Sequence, residues 1–131
     1  GLVREKGLDS HVHFIGFRRD LPQFIGSADV FLITSKEEGL GTSILDAFAV
    51  RLPVVATAAG GIPEIVRHGE TGLLAPVGDA PMLATHVENL AYVAGNLREQ
   101  LVARARRLAE EFSFERTGET TLQVYNELLR E

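Results

Sequence analysis

Four short apolar runs, rich in β-branched residues, recur along the first part of the chain: Val12-His13-Phe14-Ile15, Val30-Phe31-Leu32-Ile33, Val54-Val55-Ala56 and Leu73-Leu74-Ala75. Three of the four are apolar at every position, where a half-exposed strand would alternate. That pattern belongs to strands buried on both faces of a parallel sheet. Stretches of helical periodicity separate them, giving a βαβα rhythm and an α/β fold of about four strands. The last third of the chain is helical.

The punctuation supports these elements. Asp20 is placed to cap a short helix carrying Pro22 in its first turn, and Asp79 to do the same ahead of Pro81. Leu83, Val87, Leu90 and Ala94 form one apolar helix face, which Gly95-Asn96 interrupts. Leu97, Leu101, Ala105, Leu108 and Phe112 stripe the next helix, and Ser113 caps a last one with Glu115 in its first turn. Gly69-Glu70-Thr71-Gly72 reads as the turn into the fourth strand.

Length and composition narrow the function. The 131 residues fit one domain with a real core, and no internal repeat or linker divides them. The formal charge of −5 sets up no global field for nucleic acid. The absence of Cys removes disulfides, thiolate chemistry and Cys-ligated metal. No apolar run approaches the roughly 20 residues of a membrane span, so a cytoplasmic domain is expected.

The chemistry concentrates between Thr34 and Val50. This stretch leaves the second strand, passes through a loop bearing Gly39 and Gly41, and enters a helix near Thr42. Ligands of open parallel sheets sit beyond the carboxyl ends of the strands. Free N–H groups at Thr42 and Ser43, at the positive end of a helix, suit an anion such as phosphate; a plain strand-to-helix turn has the same glycine spacing. Glu38 and Asp46 bracket the loop, and carboxylates beside a phosphate suit hydroxyl groups, such as those of a ribose and a sugar.

Together with Pro53-Val54-Val55-Ala56-Thr57, Gly60-Gly61-Ile62-Pro63-Glu64-Ile65-Val66 and Gly69 to Leu74, the run Ser35 to Ala49 resembles the C-terminal domain of retaining glycosyltransferases of family four. Phe14-Ile15-Gly16-Phe17 upstream and Phe112-Ser113-Phe114-Glu115-Arg116 downstream match as well, so the resemblance covers nearly the whole chain. It implies a GT-B enzyme whose Rossmann-like, doubly wound domain, here partial over residues 1–131, binds a nucleotide diphosphate sugar. Glu38 would then be the first acid of the E-x7-E motif, acting at the catalytic centre on donor-sugar hydroxyls. Gly39, Leu40 and Gly41 would present amides to the sugar and diphosphate, Thr42 and Ser43 would hold phosphate oxygens, and Asp46 would bind the ribose. Gly16, Phe17 and Arg18 would lie against the nucleobase. The resemblance implies no metal and no cofactor beyond the donor.

Three departures stand out. The second acid, Asp46, is one methylene shorter than the usual Glu; Leu40 replaces a Phe; and Arg51 stands where the family often has Gly, at a cost of about 1 kcal/mol if that position needs positive φ. Nothing corresponds to the family's N-terminal, acceptor-binding domain, nor to the first two strands of this domain and the Arg and Lys that neutralise the diphosphate. A fragment or engineered chain, inactive alone, is the expectation, with Val12–Ile15 left to pair elsewhere, as in a strand-exchanged homodimer. The alternative is a non-catalytic α/β module with little nucleotide affinity. A phospho-relay receiver is disfavoured, since its acidic cluster and later Lys are not visible.

The remaining polar features read more plainly. His11 and His13 lack a third metal ligand nearby, His68 reads as a surface residue and His86 as a helix-face one. Glu64 would orient its short helix. Arg104, Arg106 and Arg107 form a basic patch suited to an anionic membrane surface, but Glu110 and Glu111 dilute it, which favours a solvated face.

Overall fold

The computed structural model describes residues 1–93 and 95–129, without the side chain of Pro22. Three parallel strands, β1 (Phe31–Ile33), β2 (Val54–Thr57) and β3 (Leu73–Ala75), lie in the order β1-β2-β3. Their register places Phe31 beside Val54 and Val55 beside Leu73. Helices α1 (Leu2–Glu5) and α2 (Leu21–Ile25) precede the sheet, and α3 (Ser43–Ala49) and α4 (Ile62–Ile65) connect its strands. After β3 come α5 (Ala80–Glu88), a π-helical turn over Asn89–Val93, α6 (Gly95–Glu111) and α7 (Phe114–Leu128).

The unbroken apolar run of β2 has the expected consequence, since all four of its residues are buried. Val54 and Ala56 face one cluster with Ile44, Phe48, Ile62 and Ile65, while Val55 faces another with Leu73, Leu83 and Leu90. Helix α6 serves both: Leu101 joins the second cluster, and Ala105 and Leu108 the first. Each large side chain fully buried here contributes about 1.5–3 kcal/mol.

Two of the three expected caps form. Asp79 accepts from the Met82 N–H at 3.0 Å, and Ser113 from that of Arg116 at 3.2 Å. Asp20 does something else: both its carboxylate oxygens take the guanidinium of Arg18, at 2.9 and 2.6 Å. The guanidinium two residues away occupies both oxygens, and a bidentate ion pair is a stronger partner than a single backbone N–H. The break expected at Gly95-Asn96 is prepared earlier, by the π-helical turn, and Ala94 lies outside the described residues.

The first of the four expected strands is a correction. Val12–Ile15 is irregular, pairs with no described strand, and leaves Phe14 85% exposed. An apolar run becomes a strand only where a neighbour satisfies its backbone, and the sheet ends at β1 on the side a further strand would occupy. At the other edge, two histidines engage Leu74: His68 Nδ1 accepts from its N–H at 3.0 Å, and His86 Nε2 meets its carbonyl at 3.1 Å. Both residues therefore finish an edge strand, a role the sequence reading missed.

Candidate functional site

The loop from Thr34 to Thr42 leaves the carboxyl end of β1 and is pinned to the last residue of β2 and the segment after it. Thr57 Oγ1 donates to the Ser35 carbonyl at 2.6 Å. The Gly61 N–H donates to the carbonyls of Glu38, at 3.2 Å, and Gly39, at 2.9 Å. Space for this docking exists because residues 60 and 61 lack side chains. A Cβ at Gly60 would overlap the Glu38 carbonyl oxygen, and one at Gly61 would overlap that of Gly39. The adjacent glycines after a strand are the sequence signal for this contact.

Within the loop, Ser35 Oγ donates to Glu38 Oε2 at 3.1 Å and fixes the half-buried carboxylate. Gly41 is buried with φ 71°, and the Glu38 stem lies over it, 3.5 Å from where a Cβ would stand. Leu40, which stands where the resemblance has a Phe, is half-buried and packs against the first core cluster. Helix α3 starts from Thr42, whose side chain makes no capping bond. The N–H groups of Ile44 and Leu45 bond back to Gly41 and Thr42, while those of Thr42 and Ser43 have no described acceptor. Asp46 is exposed on the first turn of α3.

The structure thus brings Glu38, Gly39, Leu40, Gly41, Thr42, Ser43 and Asp46 onto one loop and helix start. It does not join Gly16, Phe17 and Arg18 to them by any described hydrogen bond. Phe17 is 90% exposed, and the Arg18 guanidinium, paired with Asp20, lies 4.6 Å from the centre of the Phe24 ring. The hydrogen bonds and charge of Asp20 raise the Arg18 pKa, and those of Arg18 hold the Asp20 carboxyl below its ordinary value. Arg51 has φ 64°, the left-handed conformation considered for it from sequence. Among the described residues no group of three His, Cys, Asp or Glu is placed to hold a metal ion, and no helix is long and apolar enough to cross a membrane.

This arrangement can be set beside known proteins. The sequence profile of the family described as Glycosyl transferases group 1 matches residues 2–93. The chain belongs to that family. It is 36% identical over 125 residues to the lipopolysaccharide core biosynthesis glycosyltransferase LpsE of Rhizobium meliloti (strain 1021), covering 94% of this chain and 36% of that protein. Among solved structures, sucrose-phosphate synthase from Thermosynechococcus elongatus superposes with a TM-score of 0.86 at 32% identity, over 98% of this chain and 33% of the other. HepE of Anabaena, solved in complex with UDP and glucose, gives 0.87 at 28% identity, over 95% and 34%. This group 1 glycosyl transferase chain shares the Rossmann-like α/β architecture of these GT-B neighbours. It spans about a third of the length of the curated relatives it matches.

Proposed function

We propose that this chain is the donor-nucleotide-binding domain of a retaining glycosyltransferase of family four, a cytoplasmic enzyme that moves a hexose from a nucleotide diphosphate sugar to an acceptor. The observation that carries the reading is the loop Ser35–Thr42, clamped at the carboxyl end of β1 with Glu38 fixed and two N–H groups that have no acceptor among the described residues. Thr42 and Ser43 amides hold the diphosphate, Glu38 takes donor-sugar hydroxyls and Asp46 the ribose. Gly39 and Gly41 let the backbone approach the ligand, and Gly16–Arg18 close on the base. Catalysis comes from positioning and from stabilising charge on the departing diphosphate. The acceptor site comes from an N-terminal domain of the same enzyme, and the Arg and Lys that neutralise the diphosphate from the first two strands of this domain, so this chain alone is inactive.

UDP is the first nucleotide to test, because HepE is solved with UDP and with UDP-glucose. UDP, GDP and ADP are titrated into the chain and amide shifts followed by two-dimensional NMR. The reading expects saturable shifts centred on Gly39 to Asp46 for one nucleotide, with stabilisation of about 2.7 kcal/mol at a hundredfold excess over Kd. No shift at millimolar nucleotide overturns it.

The alternative, a non-catalytic module paired by strand exchange, draws on one observation. β1 ends the sheet with Leu32 47% exposed, while Val12–Ile15 has no described strand partner. Light scattering after size exclusion would reveal a dimer in that case and a monomer otherwise.

A further inference from the structure

At the opposite end of the parallel sheet from the loop of Ser35–Thr42 lies a cavity of about 550 Å³, lined among others by Arg51, Tyr92, Val93, Arg98, Glu99 and Val102. Arg51 precedes β2, whereas the loop follows β1, so helix α3 separates the two places. The volume lies within the range of small-molecule sites.

Two backbone irregularities meet at this cavity. Arg51 holds φ 64°, a conformation that a side chain makes costly and that glycine adopts freely. Yet the residue kept there is an arginine, whose guanidinium has no described hydrogen bond and no described ion pair. The second irregularity is the π-helical turn Asn89–Val93, a feature frequent at functional sites. It is braced by Arg98, whose Nη1 donates to the Leu90 carbonyl at 3.1 Å. That single bond fixes the side chain and leaves its other donors available. Glu99 also lines the cavity but pairs with neither arginine among the described residues. The same turn leaves Tyr92 86% and Val93 74% exposed.

We propose that this cavity binds a small anionic molecule with an apolar ring, its phosphate or carboxylate held by Arg51 and Arg98 and its ring set against Tyr92 and Val93. Guanidinium groups match the planar, bidentate geometry of such anions. A ring against the aromatic and aliphatic wall adds contact that a bare ion lacks.

Phenyl phosphate and inorganic phosphate are the probes, titrated separately into the full chain. Phenyl phosphate is expected to shift the amides of Arg51, Tyr92, Val93 and Arg98 saturably, with a Kd at least tenfold below that of inorganic phosphate. Arg51→Gly should weaken phenyl phosphate at least tenfold without lowering the thermal midpoint, because glycine suits the local φ. A purely structural arginine would instead lower the midpoint on replacement, and that result overturns the proposal. So does the absence of shifts at 10 mM (on the order of the weakest affinities worth calling binding), equal affinity for the two probes, or shifts confined to Gly39–Asp46.

Discussion

Helices α6 and α7 are both long and amphipathic, yet they meet opposite fates. On α6, Leu101, Val102, Ala105 and Leu108 are buried, and the helix packs on α3 and contributes to both core clusters. On α7 nothing is buried: Phe114 is 96% exposed, and Leu122, Tyr125 and Leu128 also face outward. The strands repeat the contrast, with every residue of β2 buried and Val12–Ile15 exposed. Periodicity states which face of an element is able to be buried. What it packs against depends on a partner at the right distance, and the same stripe of apolar residues is a core in one place and a surface in another.

The contrast is broken most severely at the glycine pair that seats the loop. Gly60→Ala should displace the Glu38 carbonyl, cost about 3 kcal/mol or more, and move the amide shifts of Ser35–Thr42; urea unfolding and NMR check both. The comparison is sharpened by making one change on each helix. Leu101→Ala should cost about 2–5 kcal/mol, and Leu122→Ala no more than about 0.5 kcal/mol, in the same denaturant titration. Equal losses would mean that α7 packs in solution.

Thr71→Val is a smaller test of the packed half. Its buried hydroxyl donates to the Ile65 carbonyl at 2.8 Å and accepts from the Arg67 N–H at 2.9 Å, so removal should cost about 1–3 kcal/mol. The smallest effect belongs to the exposed pair of Arg18 and Asp20. Because Arg18 lowers the Asp20 pKa, the pair stabilises the fold above the ordinary carboxylate value of about 3.9 and ceases to do so as pH falls through the lower folded value. Asp20→Asn should therefore differ from the parent chain near neutrality and converge with it in acid, by thermal unfolding across pH.

Much of the packed half was legible. The run Val54-Val55-Ala56 is the doubly buried strand its pattern predicts, whereas the equally apolar Phe31–Ile33 leaves Leu32 47% exposed. Asp79 and Ser113 were recognisable caps because each has a free acceptor and a helix beginning behind it. The loop carrying Glu38 and the helix start carrying Asp46 were readable too, from the glycines and their place after a strand. Less visible was anything that depended on distant pairing. Asp20 looked like a cap until Arg18 occupied it, and Val12–Ile15 looked like a strand without a neighbour to complete it. His68 and His86 gave no hint that both would reach Leu74, since their ranges of sequence meet only through the fold.

The strand order also bears on how the chain acquires its structure during synthesis. Each strand pairs with the next one to leave the ribosome, so the sheet can assemble in the order in which it is made. Its two faces are covered in part as α3, α4 and α5 follow their strands, but neither is complete until α6, made after all three strands, adds Leu101 to one cluster and Ala105 and Leu108 to the other. One late helix thereby ties together two clusters that the sheet keeps apart.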